Sequence, residues 1–418
     1  MPPMDAPIPP LRPDVDLFPA EIEGKPAYVL HDQEGIAKDV VALSPGGAAL
    51  ASLFDGKLSA EQLVGELKRR MKVSIQAEKI REIAESLEKG GFLETPGVRA
   101  ERKRILDEFM ASPVRKSMLK GAGFPEDRLE LADYLGKQLK HPKGPGQPLA
   151  ESPSLAIPPV GLVVPHIDLD RGGPAYAWSY RALSEAPPPD LIVALGVAHR
   201  SPDSPWVLTR KDYETPCGPM KTDPALYDAV RERLWYDPAV DEWCHRKEHS
   251  LEYQALWLKF LWREKTPPWL PILVSSFERF SPDKAPSGVE TIEKALSAVG
   301  GMLAQRAKTQ RILILAGVDL AHVGPKFGDD LELGPELEKK IEAEDRKSLA
   351  DALSLDADAF YLSCVGEGAW RKVCGNSALY TALRWMKALG AKPGGLLSYG
   401  QAPDPMGGIV SYASAVFR

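Results

Sequence analysis

The chain has 418 residues, of which 44% are hydrophobic and 26% charged, and it carries a net charge of −6. That length exceeds what a single core usually serves and implies more than one domain, while the negative balance excludes a general nucleic-acid binder or a protein that adheres to anionic membranes. Cys217, Cys244, Cys364 and Cys374 are too few and too scattered for a disulfide framework. The opening MPPMDAPIPPLRPDVD has no secretory pattern, and no apolar run reaches about 18 residues, so a cytoplasmic protein that spans no membrane is expected.

Residues 1–10 are Pro-rich and are expected to be disordered. A small domain is expected over 11–97. Ser44-Pro45 reads as a helix N-cap followed by Pro at the first helical position, with the helix ending near Asp55-Gly56. Ser59 and Gln62 have capping-box spacing ahead of a second helix that runs through Lys72. Ile80, Ile83, Ala84 and Leu87 form one apolar face of a third helix, stopped by Gly90-Gly91. Phe92-Leu93 then resumes as a strand, with a further strand upstream at Ala27–Leu30. Three helices with a short strand pair make a winged-helix α+β module.

The stretches LSPGGAALASLFDGKLSAEQLVGEL and IREIAESLEKGGFLE resemble the PqqD-like family. Residues 1–98 hold eleven Lys and Arg against sixteen Asp and Glu, a net of −5, which disfavours DNA as the ligand of such a module. The resemblance implies instead a peptide or protein partner, bound by strand addition to a sheet edge. Residues 98–117 are charged and read as a helical linker.

Residues 118–418 carry the chemistry. Three runs, GLVVPHIDLD, LIVALGVAHR and RILILAGVDLAHVG, are continuously aliphatic and stop at His166, at His199, and at Asp319 with His322. Such runs mark strands buried on both faces, as in a mostly parallel sheet flanked by helices. Ligands of open α/β sheets collect outside the carboxyl ends of the strands, so three of the seven histidines are expected on one rim. Imidazole is the commonest transition-metal ligand, which points to a metal or acid–base site. Cys374 lies just before a helix whose Leu379, Leu383 and Met386 make an apolar stripe, where the helix dipole favours a thiolate. His249 and Glu252, three residues apart at a helix start, are expected on one helical face and suited to acid–base work.

In order along the chain, KGAGFPEDRLELADYLGKQL, PHIDLD, LGVAHRSP, YETPCGPMKTD, KEHSLEYQ, VDLAHVG, KVCGNSAL and the closing strands LLSYGQ and GGIVSYASAVF resemble the Memo family, the B component of a three-part system with AMMECR-type and radical-SAM partners. The resemblance implies a fold related to class III extradiol dioxygenases. It places metal ligands on His166, His199 and Cys374, and pocket residues on Asp319, His322, His249 and Glu252. Two departures from the family pattern stand out. Asp168-Leu169 replaces the family's aromatic after the first histidine, adding a carboxylate beside the site, and Gly317-Val318 replaces a small serine pair.

One metal ion is therefore expected, Fe or Cu first and Zn also compatible with the donors. The leading expectation is dioxygenase-like redox chemistry on an organic or peptide substrate, with His322, His249, Glu252 and Asp319 as catalytic groups. A non-catalytic scaffold that delivers a peptide to a radical-SAM enzyme is the alternative, and metal-dependent hydrolysis the third.

Overall fold

A computed structural model describes residues 5–32, 34–37, 40–282 and 284–418. The chain divides into two compact units between Ala111 and Ser112. Of the stretch expected to be disordered, residues 1–4 lie outside the described residues. Ile8 is buried in the first unit's core and donates its N–H to Leu58 O, so packing begins earlier than the proline content suggests.

The first unit opens with β1 (Val15–Ile22), β2 (Lys25–Asp32) and β3 (Val41–Leu43), an antiparallel sheet in that order. Helices α1 (Pro45–Ala51), α2 (Ala60–Met71), α3 (Ala77–Lys89) and α4 (Pro96–Ala111) follow. Ser44 caps α1, Ser59 and Gln62 bond reciprocally at the start of α2, and Ile80, Ala84 and Leu87 form the buried face of α3. Phe92-Leu93, expected as a strand, supplies only one bridge, Leu11 to Leu93. Pro96 opens α4 two residues after Glu94 and leaves no room for a longer strand. Helix α4 takes up most of the stretch read as a linker and is tied within this unit by Arg102 to Asp14 and Glu94.

The second unit begins with β4 (Val114–Arg115), α5 (Arg128–Lys140), β5 (Gly161–Val164), α6 (Leu169–Ser184) and β6 (Leu191–Val197). It continues with β7 (Trp206–Leu208), β8 (Asp212–Tyr213), α7 (Pro224–Arg231), α8 (Glu252–Trp262), β9 (Trp269–Val274), α9 (Glu290–Arg306) and β10 (Ile312–Gly317). The last elements are β11 (His322–Val323), α10 (Pro335–Leu353), α11 (Ala357–Val365), α12 (Asn376–Ala388), β12 (Gly395–Asp404) and β13 (Gly408–Phe417).

The main sheet runs β11-β13-β5-β10-β6-β9-β7, with β12 on β13. Only its centre, β5-β10-β6-β9, is parallel. Strands β7, β11, β12 and β13 pair antiparallel, so the sheet is mixed rather than mostly parallel. The cause is local: β12 and β13 are joined by a tight turn, and such a connection can only pair strands antiparallel. Every residue of β5, β6, β9 and β10 is buried. One face of the sheet is covered by Leu135, Tyr180 and Trp257 from α5, α6 and α8, and the other by Leu296, Phe360 and Leu383 from α9, α11 and α12. Among the described residues, no helix is long and apolar enough to cross a membrane.

His245, in the short turn of helix ahead of α8, is fully buried. It accepts a bond from the Tyr213 hydroxyl at Nδ1 (2.6 Å) and donates from Nε2 to Val207 O (3.0 Å). The neutral ring makes both bonds, and burial pushes its pKa down to about 3. Because the unfolded chain binds that proton more readily, stability is present above an unfolded value of about 6.5 and is lost as the pH falls toward the folded one. In urea unfolding, the advantage of the wild type over His245→Gln is expected to be about 2 kcal/mol smaller near about pH 5 than near about pH 7.5. An advantage equal at the two pH values would contradict this account.

Candidate metal centre

The rim at the carboxyl ends of β5, β6 and β10 is where the buried strands release their polar residues. His166 follows β5, His199 follows β6, and Asp319 and His322 follow β10. The turn before α8 closes over this rim and brings in His249. Its approach depends on Gly317, where a Cβ would lie 2.7 Å from Ser250 O.

One ring nitrogen each from His166, His199 and His249 falls within 4.8 Å of the others. The rings of His199 and His249 stack at 5.0 Å, and His166 meets both edge-on at 5.1 and 5.3 Å. His166 is buried, whereas the side chains of His199 and His249 are each 36% exposed, so the group has a closed floor and an open mouth.

The rings of His166 and His199 are oriented by hydrogen bonds at Nδ1. His166 Nδ1 lies 3.0 Å from Gly317 O, and a carbonyl can only accept, so this nitrogen carries the hydrogen. His199 Nδ1 lies 3.0 and 3.1 Å from the two oxygens of Glu248. His249 Nδ1 lies 3.4 Å from the same carboxylate. In His166 and His199 this commits Nδ1 to a partner behind the ring, the arrangement that metal-bound histidines use.

Glu248 is 3% exposed and also accepts from the backbone N–H groups of His199 (3.1 Å) and Ser250 (2.9 Å). Burial pushes its carboxyl up, but His199 and then His249 outweigh that and hold it well below the carboxylate range. Burial pushes His249 down to about 3 against the pull of Glu248, so its ring is neutral at physiological pH. Burial also lowers His166, yet Asp319 and Cys374 hold it up at about 9.

Cys374 enters from the turn before α12. Its Sγ is 3.4 Å from His166 Nε2 and 3.9 Å from Asp319 O. Gly375 permits this approach, since a Cβ there would lie 2.5 Å from Val318 Cβ and 2.6 Å from Asp319 O. Burial raises the thiol's pKa, but His322, His166 and His199 bring it well below its ordinary value. The surrounding imidazoles thus favour the thiolate. Asp319 accepts from His166 N (2.9 Å) and has its own carboxyl raised by burial. His322 is fixed through Nδ1 to Leu320 O (3.1 Å), and its ring packs on Phe327 at 5.2 Å.

Two expected residues lie elsewhere. His249 precedes α8 instead of lying on it, so it shares no helical face with Glu252. The Glu252 carboxylate points away from the triad, to Arg115, the Ser117 hydroxyl and Leu119 N (2.9 Å). Asp168 caps α6 and pairs with Arg171 (2.6 Å). Cys244 and Cys364 are buried apart from the site, and burial pushes the Cys364 thiol up to about 12.

Two contributors were missed. Glu248 stands directly before His249 in KEHSLEYQ, and a carboxylate beside a histidine was the available signal. Gln254, in the same stretch, donates to Pro165 O (2.8 Å) and accepts from the Tyr180 hydroxyl (2.8 Å), tying α8 to the end of β5. Beside the triad, Tyr253 packs between His249 (6.4 Å) and Phe124 (6.3 Å). Phe124 lines an open cleft of about 890 Å³ with Gly123, Glu130, Tyr134 and Asp170.

Comparison with known sequences bears on the same region. The profile of the family described as "Memo-like protein" matches residues 115–416. A MEMO1 family protein of Aquifex aeolicus is 25% identical over 409 residues, covering 97% of this chain and 100% of the relative. One from Nitrosopumilus maritimus is 26% identical over 308 residues, 73% of this chain and 99% of the relative. Another, from Thermus thermophilus, is 29% identical over 269 residues, 64% of this chain and 73% of the relative.

Removing the Glu248 charge frees the His199 ring and weakens its lone pair. Glu248→Gln is expected to weaken Zn²⁺ binding by about 10- to 100-fold in calorimetric titration. Wild-type affinity in that variant would show that the carboxylate orients nothing.

Proposed function

This chain belongs to the Memo-like protein family, and from that premise we propose that it is a mononuclear metal protein acting on an organic or peptide substrate by redox chemistry. The observation that carries the reading is the convergence of three imidazole nitrogens within 4.8 Å, with the rings of His166 and His199 held by hydrogen bonds at Nδ1. Three nitrogen donors with an adjacent sulfur suit Cu, Fe or Zn better than Mg or Ca. His166, His199 and His249 would hold the ion, with Cys374 next to them as a soft donor. The exposed edges of His199 and His249 leave an approach for substrate. When bound, the ion supplies Lewis acidity or one-electron chemistry at that mouth.

The chain's own residues then divide the remaining work. Asp319, with its raised carboxyl, and His322, beside Cys374, can hold and return a proton at the floor of the site. Tyr253 keeps its phenol protonated, because burial and then the nearby carboxylates raise it, and so offers a neutral face between the triad and the cleft. Asp168 steadies the start of α6 beside His166. Glu252 acts through Arg115 and not on substrate.

A second reading, a scaffold that binds a peptide for AMMECR-type or radical-SAM partners, draws on β1, an outer strand of the small sheet in an acidic unit. An extended basic peptide is the ligand this edge would take.

Elemental analysis of anaerobically purified protein tests the first reading. Near-stoichiometric metal is expected in the wild type and in Cys374→Ala, and its loss is expected in His166→Ala. Metal content that ignores His166 would sink the proposed centre, and a protein that binds peptide while free of metal would favour the scaffold.

A further inference from the structure

Arg115 and Glu252 form a fully buried ion pair behind the triad, with side-chain exposures of 0% and 1%. Burying two charges is expensive, and a pair of apolar residues would often be as stable, so stability alone is a weak account of it. The geometry offers another account. Arg115, on β4, also donates from Nε to His245 O (2.9 Å) and from a terminal nitrogen to Glu248 O (2.7 Å), and its guanidinium lies 5.0 Å from the centre of the Tyr213 ring. Its donors therefore fork over the backbone of residues 245–248, the segment that delivers Glu248 and His249. Glu252 fixes the fork from the far side and is itself held by the Ser117 hydroxyl and the N–H groups of Met118 (3.3 Å) and Leu119 (2.9 Å). The planar, five-donor guanidinium suits this task, and an ammonium could not make the same three contacts.

We infer that Arg115 and Glu252 are positioning residues for the metal centre: the pair sets the backbone at Glu248 and through it the ring of His199 and the approach of His249. Neither residue touches the triad. Glu248 is the link, since its carbonyl takes the Arg115 bond while its carboxylate takes the His199 Nδ1–H. Arg115 and Glu252 lie 137 positions apart, so the hold is tertiary. The inference rests on the metal reading proposed above only for its consequence, the affinity; the orientation of His199 can be observed without metal.

The test uses the full chain with Arg115→Met combined with Glu252→Gln. This double variant removes both charges together and keeps an acceptor for Leu119 N. Two readouts are taken: Zn²⁺ affinity by calorimetry, and, on metal-free protein, the ¹⁵N signature of His199 bonded through Nδ1. Thermal unfolding is followed beside them. Zn²⁺ binding about 10- to 100-fold weaker, with the Nδ1 signature lost while unfolding remains cooperative, is the expected result. A folded variant with wild-type affinity and an unchanged His199 signature would overturn the proposal. Should the double variant not fold, Arg115→Lys decides on the same readouts: it keeps the charge and loses the fork, so weakened Zn²⁺ binding supports the inference and unchanged binding refutes it. If the wild type itself binds no Zn²⁺, the ¹⁵N signature in the variants decides whether the pair positions His199, and the metal content of the purified protein decides the metal reading separately.

Discussion

An imidazole has two nitrogens on nearly opposite sides of one ring, so turning one toward a common centre commits the other to a partner behind it. That constraint organises the second unit. Gly317 O stands behind His166, the Glu248 carboxylate behind His199 and beside His249, and Leu320 O behind His322. Two of these partners are main-chain carbonyls at or just past the end of β10. The sheet that carries the histidines thus also fixes their tautomers. Only Glu248 comes from outside it, which is why the segment around residues 245–252 is braced so heavily.

The parallel centre of the sheet explains why these groups meet at all. Strands β5, β10 and β6 are adjacent and run in one direction, so the residues following them emerge side by side on one rim. The strands themselves are wholly buried and can carry no polar chemistry. Chemistry therefore concentrates in the few residues after each strand, and it needs backbone to pass close to backbone there. Gly317 and Gly375 are the positions where a side chain would block that approach. A glycine two positions before Asp319 thus meets a packing requirement, set by Ser250 O on the turn ahead of α8.

Much of this was legible in the sequence. Continuous aliphatic runs ending in His166, in His199 and at Asp319-Leu320-Ala321-His322 reveal buried strands with polar ends, and the order of short motifs reveals the family. The capping signals at Ser44 and Ser59 are local chemistry and appear as local structure. The outer strands and the turn ahead of α8 were not legible in the same way. A strand's direction relative to its neighbour depends on connections, so the mixed character of the sheet was hidden in the aliphatic runs. The spacing of His249 and Glu252 suggested one helical face, but the helix begins only at Glu252, and the two side chains leave in different directions. What claims Glu252 is Arg115, far away in sequence, and no local pattern announces such a partner.

Cys374 is set in the site by charge as much as by distance. It sits 3.4 Å from His166 Nε2 with its thiol drawn toward the thiolate and His166 held toward the imidazolium. The two charges balance each other at the floor of the site. His249 contributes differently. Its ring is already neutral, so its lone pair is available without loss of a proton. The three imidazoles could hold one metal ion, and Cys374 adds a sulfur beside them. The two carboxylates nearest the rim also differ. Glu248 is committed to imidazole, whereas Asp319 accepts from the His166 backbone with one oxygen and turns the other to within 3.6 Å of His166 Nε2.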